Sequence, residues 1–518
     1  MPRAYDARNV RRGLFDALLV ARARYGGGKP ILEDQDRRVL SYDDLIRACF
    51  ALGRKLAAVT AKGERVGVLL PSSVGMTVTF FALHAIGRTP VMLNFTSGVR
   101  NLKAACQAAG VRRVLSARRF VQQAKLDAVV DEVGSVAEMT WLDDLRGEIG
   151  PADKIYALVA GALPRLFRKR ARPDDPGVIL FTSGSFGAPR GVVLTQANLL
   201  ANVEQVAAHI DLDPAWASFN PLPTFHALGL IALTLPLLNG MRGFQYPSPL
   251  HAKQIPVLMR ESRTAILFAT DTFLNQYARN AEPEDFASLQ FVVCGAEKVR
   301  EDTHRVFAER FGGVPVLEGY GATEAAPVIA VNQPDYNRRG TVGRLLPKIE
   351  ARLEPVEGIT EGGRLFVRGP NVMAGYLGAT PEEIEALTDG WHDTGDVAAI
   401  DDDRVVRLLG RVKRFAKIGG EMVSLMAVED LALGALPGAR HAVVSIPDAR
   451  KGERLVLVTD HPSPDVGAIA AYARGLGAPE LAVPKRIVRV AEVPVLGSGK
   501  TDYVSIQKMA EAEAQAAA

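Results

Sequence analysis

The sequence is poor in cysteine, with Cys49, Cys106 and Cys294 as its three residues in 518. They lie far apart, and their spacing is not that of a metal site. So few thiols exclude a disulfide-stapled scaffold, which needs many closely placed cysteines. We therefore expect three free thiols in a reducing compartment.

The sequence also lacks a strong charge excess and a long apolar run. The net charge of +4 is too small on this length to argue for nucleic-acid binding. No stretch reaches the roughly 18 uninterrupted apolar residues of a membrane span. Residues 1–28 contain only a short apolar run inside a basic segment, unlike a secretory signal. These features predict a cytoplasmic protein.

The length predicts two or more domains. The pattern of apolar and polar residues is that of an α/β protein. Short β-rich runs precede amphipathic helices, as in ERVGVLLP before GMTVTFFALHAIG and FVVCGAE before KVREDTHRVFAERFG. This alternation is typical of βα units with buried parallel strands. From about Gly340 the strands become shorter, and 411–502 reads as a small α/β unit.

A glycine- and hydroxyl-rich segment, FTSGSFGAPRGVV, occupies residues 181–193. Glycines bring backbone N–H groups close to an anion, and hydroxyls add donors. The sequence after it reads as a helix, whose N-terminus would face the same anion. The segment thus predicts a phosphate cradle, although it lacks the Gly-Lys-Ser/Thr of the common P-loop. Taken alone, an ordinary surface loop explains it equally well.

Four further segments follow in order: EGYGATEAAPV (318–328), DGWHDTGDVAAID (389–401), GRVKRFAKIGGEMVSL (410–425) and VLGSGKTDY (495–503). With the 181–193 segment, they resemble the adenylate-forming superfamily of acyl-CoA synthetases, luciferases and peptide-synthetase adenylation domains. The resemblance extends over essentially the whole chain. It implies an N-terminal AMP-binding domain over 1–410, with βα layered subdomains and a small β-rich subdomain. A small, mobile α+β C-terminal domain over 411–518 would follow.

A narrower likeness lies in the sequence between these motifs. YPSPLHAKQIP, TVGRLLPKIEARLEP and RFAKIGGEMVSLMAVE resemble the synthetase portion of bacterial bifunctional acyl-[acyl-carrier-protein] synthetase/2-acylglycerophosphoethanolamine acyltransferases. This likeness implies a fatty acid as substrate and acyl carrier protein as thiol acceptor, whereas the wider superfamily implies coenzyme A.

The resemblance implies a two-step reaction with ATP and Mg²⁺. A carboxylate attacks the α-phosphate of ATP, and a phosphopantetheine thiol then attacks the acyl-adenylate to give a thioester and AMP. A ligase for a non-lipid acid, such as an aryl or amino acid, is the alternative within the superfamily. A non-catalytic acyl or nucleotide binder is an alternative of another class, and the presence of Lys500, Glu324 and Asp396 argues against it.

The resemblance assigns the β- and γ-phosphates to the loop residues Thr182, Ser183, Gly184, Ser185, Gly187, Arg190 and Gly191. Two positions depart from the family pattern. Phe186 stands where Thr or Ser is common, so one hydroxyl donor is missing. Arg190 replaces the usual lysine, and arginine pairs bidentately with phosphate.

The adenine pocket is assigned by resemblance to Gly295, Ala296, Glu297, Tyr320 and Gly321. Thr323 and Glu324 match positions that contact phosphate and Mg²⁺, and a hard cation prefers carboxylate oxygen. Asp396 would accept hydrogen bonds from the ribose hydroxyls, with assistance from Arg411. Taken singly, Tyr320 reads equally well as a core aromatic and Asp396 as a turn residue.

The remaining assignments concern the reacting groups and the domain motion. Lys500 matches the lysine that bridges carboxylate and α-phosphate, where a positioned cation lowers the barrier electrostatically. His226 matches a gate at the acyl pocket, with a structural histidine as the alternative. The hinge and thiol tunnel are assigned to Lys413, Lys417, Gly419 and Gly420.

The segment 154–172, KIYALVAGALPRLFRKRAR, is apolar first and arginine-rich second. One interpretation is a surface helix in peripheral contact with anionic lipid at the inner membrane face. The other is a helix packed on its domain that ends in a solvated basic linker. Basic pairs such as Arg112-Arg113 and Arg338-Arg339 would suit an acidic carrier protein, although such pairs are usually solvated.

Overall fold

The computed structural model describes residues 3–183, 189–378, 380, 383–418, 420–448, 452–495 and 500–516. The chain divides into two compact units. The first comprises Met1–Asn337, Leu345–Ile349 and Arg368–His392, and the second Arg338–Arg344, Glu350–Val367 and Asp393–Ala518. The predicted mixed α/β class, with a larger N-terminal part, is confirmed. The predicted boundary at 410/411 falls within the second unit and stays a prediction about a moving domain.

The helices are α1 (Leu14–Tyr25), α2 (Tyr42–Val59), α3 (Val74–Ala85), α4 (Val99–Ala108), α5 (Arg118–Ala124), α6 (Asp127–Gly134), α7 (Leu142–Gly147), α8 (Pro151–Ala162), α9 (Pro164–Phe167), α10 (Gln196–Ala207), α11 (Ala227–Leu238), α12 (Gln254–Glu261), α13 (Asp271–Asn280), α14 (Glu301–Arg310), α15 (Leu425–Ala435), α16 (Val466–Gly475) and α17 (Tyr503–Ala516). Several begin at side-chain caps. Ser41 and Asp44 form a capping box at α2, and Thr195 and Asn198 do so at α10.

The strands are β1 (Pro30–Asp34), β2 (Leu40–Ser41), β3 (Arg65–Val68), β4 (Thr89–Met92), β5 (Arg113–Ser116), β6 (Glu138–Trp141), β7 (Pro176–Ser183), β8 (Pro189–Thr195), β9 (Ala217–Asn220), β10 (Arg242–Gln245), β11 (Thr264–Ala269), β12 (Phe291–Cys294), β13 (Val316–Gly321), β14 (Val328–Val331), β15 (Arg344–Leu345), β16 (Glu350–Glu354), β17 (Gly363–Arg368), β18 (Gly375–Leu377), β19 (Ile384–Ala386), β20 (His392–Ile400), β21 (Val406–Arg411), β22 (Phe415–Ile418), β23 (Glu421–Ser424), β24 (His441–Asp448), β25 (Gly452–Thr459) and β26 (Arg486–Arg489).

Two large sheets organise the first unit. One has the order β15-β14-β13-β12-β11-β9-β10-β1-β2, and the other β19-β18-β8-β7-β4-β3-β5-β6. The neighbours β9, β11, β12 and β13 run parallel, as do β3 and β4. The predicted βα units are therefore confirmed, since β3, β11 and β12 are each followed by a helix. The central strands are buried on both faces, which explains their continuous apolar runs.

The helix predicted after the 181–193 segment is confirmed as α10, although a strand that was not predicted precedes it. The structure places β8 there, antiparallel to β7 with Thr182 opposite Arg190, and α10 begins only at Gln196. Val192, Val193 and Leu194 are buried and pair better in a sheet than in a helix. The described parts of the segment are thus the paired ends of β7 and β8, and Thr195 at the end of β8 is the N-cap of α10.

The second unit contains two smaller sheets, ordered β16-β17-β20-β21 and β23-β22-β25-β24, with β26 alongside β25. Helices α15 and α16 pack on one another, and α17 packs on β24. Apolar clusters centred on Val428 and Leu457, and on Val444 and Ile506, form its core. The three cysteines are free and buried, as expected.

Candidate active site

The candidate residues of the first unit gather at the carboxyl ends of its parallel strands. Gly295 directly follows β12, Tyr320 lies near the end of β13, and His226 follows β9 just before α11. A Cβ on Gly295 would lie 3.8 Å from the Gly319 carbonyl oxygen and 3.2 Å from Leu228 Cδ2. This edge of a parallel sheet is where α/β proteins bind ligands.

Tyr320 is buried at 8% exposure, so its ring forms part of the wall at the end of β13. Gly321 follows it, and a Cβ there would overlap the carbonyl group of Pro327. Glycine is therefore required at 321 by close backbone approach rather than by ligand contact alone. The backbone N–H of Ala322 donates to the same Pro327 oxygen at 3.0 Å, which fixes the turn that leads to Thr323.

Thr323 and Glu324 lie in a short 3₁₀ turn, Thr323–Ala325, and both side chains are half-buried. The Met373 backbone N–H donates to the Glu324 carbonyl oxygen at 2.8 Å. The same turn packs against β8. The structure therefore brings Glu324 close to strand β8 of the β7–β8 hairpin.

Tyr376 connects these two parts of the site. Its hydroxyl donates to Glu324 Oε1 at 2.8 Å, and the guanidinium carbon of Arg190 lies 3.5 Å from the centre of its ring. Tyr376 is held in register by pairing with Val192 across β18 and β8. One aromatic side chain thus positions the cation of the hairpin and the carboxylate of the 3₁₀ turn.

Tyr376 was not among the residues predicted from sequence. It lies in the segment NVMAGYLG, about 50 positions after YGATE, and carries no motif of its own. Its one signal is an aromatic residue in a short β-rich run. Only the pairing of β18 with β8 brings it to Arg190.

Glu324 fits the requirement for a Mg²⁺ ligand that acts together with substrate phosphates. Tyr376 occupies one carboxylate oxygen, and among the described residues no donor reaches the other. Across the same part of the chain, no group of three or more metal-ligating side chains occurs. Mg²⁺ commonly takes one or two protein carboxylates and fills its remaining positions with phosphate and water.

The structure describes only some of the residues predicted to contact phosphate in the 181–193 segment. Thr182 on β7 faces Arg190 on β8, and Gly191 faces Phe181. A Cβ on Gly191 would overlap Leu377. The backbone of Ser183 closes β7. Gly184, Ser185 and Gly187 lie outside the described residues. Their assignment to phosphate contacts therefore stays a prediction.

Glu297 and Ala296 form a distinct turn after β12. Glu297 Oε2 accepts hydrogen bonds from the backbone N–H of Thr272 at 3.0 Å and from its hydroxyl at 2.7 Å. The carboxylate therefore caps the first turn of α13. Ala296 has a φ of +71°, a left-handed conformation that non-glycine residues seldom adopt. The turn is built to hold its backbone in place at the predicted adenine pocket.

His226 is half-buried and caps the start of α11, with its backbone N–H bonded to the Pro223 carbonyl oxygen at 3.0 Å. Its ring centre lies 4.8 Å from that of Phe225, which in turn lies 4.8 Å from Phe95. Helix α11 behind it is apolar and almost entirely buried. His226 is therefore an aromatic-lined polar residue before an apolar helix, which suits the predicted gate and a structural role alike.

In the second unit, Asp396 and Arg411 form an ion pair with each other. They face each other across β20 and β21, and Arg411 Nε donates to Asp396 Oδ1 at 3.0 Å. The Asp396 side chain is 10% exposed and that of Arg411 is 69% exposed. A buried carboxylate oriented by an exposed guanidinium is suited to accept ribose hydroxyls.

Lys413 lies in the 3₁₀ turn Val412–Arg414 and is exposed. Its neighbour Arg414 is fixed. Arg414 donates to Glu429 at 2.8 Å and its guanidinium lies 3.6 Å from the ring centre of Tyr503. The Tyr503 hydroxyl donates to the same Glu429 carboxylate at 3.1 Å. The residue after the predicted hinge is thus tied to α15 and to α17.

Lys500 is exposed, three residues before α17. Thr501 pairs with Val495 in an isolated antiparallel bridge, and the Asp502 backbone N–H donates to the Pro494 carbonyl oxygen at 3.0 Å. The two ends of the segment that carries Lys500 are therefore held together.

The predicted thiol-tunnel residues lie at the turn between β22 and β23. The backbone N–H of Lys417 donates to Glu453 Oε2 at 2.6 Å, and its ammonium lies 3.6 Å from a Glu357 carboxylate oxygen. Gly420 is exposed with a φ of +95°, where glycine is favoured. Gly419 lies outside the described residues.

Comparison with known proteins shows which family this chain resembles. The model of the AMP-binding enzyme family matches residues 19–377. Feruloyl-CoA synthase from Amycolatopsis sp is 30% identical over 475 residues, which are 89% of this chain and 92% of that protein. A long-chain-fatty-acid–CoA ligase from Salmonella typhimurium is 28% identical over 485 residues, or 85% of this chain and 84% of that one. ATP-bound MatB from Rhodopseudomonas palustris has a TM-score of 0.81 at 26% identity, covering 96% and 99% of the two chains.

The chain therefore belongs to the AMP-binding enzyme family. Membership confirms the resemblance to adenylate-forming enzymes and supports an AMP-forming ligase that uses ATP. The solved relatives share the mixed α/β fold with a large N-terminal and a smaller C-terminal domain. The narrower likeness to acyl-carrier-protein synthetases stays a prediction.

Proposed function

We propose that this chain activates a fatty acid with ATP and transfers the acyl group to a phosphopantetheine thiol of coenzyme A or acyl carrier protein. The observation that carries the ATP step is the contact of Tyr376 with both Arg190 and Glu324. It sets a cation and a carboxylate side by side at the phosphate hairpin. The fatty-acid assignment is supported by the buried apolar helix α11 behind His226 and by similarity to the long-chain ligase named above.

In the first step, a carboxylate oxygen of the acid attacks the α-phosphorus of ATP, and the bond to the bridging oxygen of pyrophosphate breaks. Arg190 pairs with the β- and γ-phosphates, and Glu324 would hold Mg²⁺, which neutralises phosphate charge when bound. Tyr320 stacks on adenine, and Asp396 accepts the ribose hydroxyls. Lys500 stabilises the charge that builds between the two anions.

In the second step, the thiol sulfur attacks the acyl carbon, and AMP leaves with the electrons of the acyl–phosphate bond. We assign the path of the thiol to the β22–β23 turn, because Gly420 there offers no side chain that would obstruct a pantetheine arm. Lys413 is the hinge about which the C-terminal domain rotates between the two steps. His226 separates the routes of carboxylate and thiol.

An aryl acid is the second candidate substrate. The relative at 30% identity is a feruloyl-CoA synthase, and that protein's named product is an aryl thioester. A tyrosine or phenylalanine wall near the acyl route, such as Phe95 and Phe225, would suit an aromatic acid equally well.

The deciding experiment is ATP-dependent thioester formation followed by mass spectrometry. Palmitate and ferulate are each supplied with coenzyme A and, separately, with holo acyl carrier protein. Palmitoyl thioester formation supports the proposal, and the thiol that carries it identifies the acceptor. Product from ferulate alone replaces the fatty-acid proposal by the aryl one. No AMP release with either acid contradicts both substrate assignments.

A further inference from the structure

The small side chains of helix α8 face its own domain, and its large aliphatic side chains face away from that domain. Ala157, Ala160 and Gly161 are buried where α8 packs against α2. A Cβ on Gly161 would lie 2.8 Å from Arg47 Cγ, so this close packing depends on the small residues. The apolar bulk of the helix is consequently turned away from the domain core.

Five large aliphatic residues form a stripe on the outer side of α8 and α9: Ile155, Leu158, Val159, Leu163 and Leu166. Their spacing of three and four positions places the α8 members on one side of the helix. They are 46% to 76% exposed. A continuous exposed stripe of this kind marks an interaction surface, since single exposed leucines are common but rows of them are not.

Arginines follow this stripe in the chain. A cavity of about 400 Å³ is lined by Arg11, Arg12, Arg168, Arg170 and Arg172, with Asp16 as its acidic residue. Asp16 pairs with Arg168 and Asp175 pairs with Arg172, and the five arginines still leave the lining with an excess of positive charge. The chain is anchored there, because the Lys169 backbone N–H donates to the Ala85 carbonyl oxygen at 2.8 Å. The aliphatic stripe and this cavity together are called the docking face below.

We propose that the docking face binds the surface of an anionic phospholipid bilayer. The aliphatic stripe enters the boundary between headgroups and acyl chains, and the arginines hold lipid phosphates. Charge complementarity selects this partner, because a second copy of the chain would bring two arginine clusters together. No helix of the described residues is long and apolar enough to cross a membrane. The contact is therefore interfacial.

The test uses the full-length chain in co-sedimentation with vesicles. Vesicles of phosphatidylcholine are compared with vesicles that contain about one third phosphatidylglycerol, at about 0.1 M and about 0.5 M salt. The expected result is binding to the anionic vesicles alone, with loss of binding at the higher salt.

Two variants locate the contact. The double change Leu158→Ser/Leu166→Ser should lower the partition coefficient about tenfold by removing apolar area from the interface. Arg170→Gln/Arg172→Gln should also lower it about tenfold by removing attraction to anionic lipid. The matched controls are Leu250→Ser, a leucine 67% exposed elsewhere in the unit, and Arg100→Gln on α4. Neither control should change binding, and thermal unfolding checks that every variant is folded.

Three outcomes overturn the proposal. The first is equal binding to neutral and anionic vesicles, or binding to neither. The second is an equal loss of binding in the control variants. The third is evidence for a protein partner in place of lipid. Such evidence would be self-association of the chain that Leu158→Ser/Leu166→Ser abolishes, or binding to an acidic carrier protein without binding to vesicles. All these readouts are independent of which acid the enzyme activates.

Discussion

Arg190 replaces the lysine that the family pattern leads one to expect in the phosphate hairpin, and Tyr376 explains how the larger cation is held. A guanidinium is planar and weakly hydrated, so it stacks on an aromatic ring that an ammonium would use less well. With its carbon 3.5 Å from the ring centre, the guanidinium stays oriented for bidentate contact with phosphate. The same ring carries the hydroxyl bonded to Glu324. The exchange of lysine for arginine is therefore supported by its surroundings.

Tyr376→Phe should separate these two roles, because it keeps the ring under Arg190 but removes the hydrogen bond to Glu324. A hydrogen bond to a charged group contributes about 2 kcal/mol, so we expect kcat/KM for adenylation to fall about thirtyfold and the Mg²⁺ requirement to rise. Tyr376→Leu should lose more, since Arg190 also loses its ring. The measurement is pyrophosphate release over a Mg²⁺ titration, with Tyr472→Phe as control. An unchanged Mg²⁺ dependence in Tyr376→Phe would contradict the assignment of Glu324.

Lys500→Ala should abolish acyl-adenylate formation and spare thioester formation from supplied acyl-adenylate. The lysine acts where carboxylate and α-phosphate approach, and the second step needs no such cation. Pyrophosphate release and thioester formation are measured separately. Lys508→Ala, a change on the neighbouring α17, is the control and should leave both half-reactions intact. Equal loss of both half-reactions in Lys500→Ala would refute its proposed role.

At the scale of elements, one half-buried cluster joins three segments of the second unit. Arg414 follows the proposed hinge, Glu429 lies on α15, and Tyr503 begins α17 just after Lys500. Arg414 and Tyr503 both donate to the Glu429 carboxylate. The cluster makes the hinge segment and the base of the Lys500 segment parts of one rigid body. A rotation at Lys413 would then carry Lys500 with it.

The cluster predicts an alkaline loss of stability. Burial, and next the charge of Glu429, raise the pKa of Tyr503 from 10.0 to about 12. Because the folded state keeps this proton and the unfolded state releases it above pH 10, the contribution to stability is complete below pH 10. It declines by about 2 kcal/mol as the pH rises toward 12. Tyr503→Phe should be less stable than the parent chain at pH 8, and this difference should shrink by pH 11. Urea unfolding at both values checks it, and a difference that stays constant would contradict it.

The turn between β22 and β23 predicts that a large side chain at position 420 blocks the thiol. Gly420→Leu should leave adenylate formation intact and block thioester formation, because a side chain would fill the proposed path of the pantetheine arm. The φ of +95° strains any substituted residue, so Gly420→Ala serves as the matched control for strain. Only the leucine variant should lose the second step. Equal losses in both variants would mean that strain, not obstruction, is the cause.

At the scale of the whole molecule, the proposed mechanism assigns the two half-reactions to two configurations of the C-terminal domain. Lys500→Ala and Gly420→Leu should therefore fail in opposite half-reactions. Loss of the same half-reaction in both variants would contradict a rotating C-terminal domain. Tyr320 and Glu324 belong to the first compact unit, and Asp396, Gly420 and Lys500 belong to the second.

The alternating β-rich and amphipathic runs predicted the βα units correctly, because buried parallel strands need continuous apolar residues. Local pattern did not reveal the strand at 189–195, because most of these residues read as part of a phosphate-binding loop. Its valines and leucine are apolar in either state, and pairing with β7 decided between them. The partnership of Asp396 with Arg411 followed from motifs whose members lie on paired strands. Tyr376 had no such motif and was missed.

The sequence by itself determined the family, the α/β class and the chemical types available for phosphate, ribose and Mg²⁺, since these are written in short motifs. Tertiary structure alone decided that Tyr376 supports Arg190 and Glu324, because that contact depends on the register of β18 against β8. It also decided that the leucines of α8 and α9 face outward. The spacing of apolar residues along a helix does not show which side of the helix packs on the domain. In α8, the side with the small residues packs against α2, so the large aliphatic residues face outward.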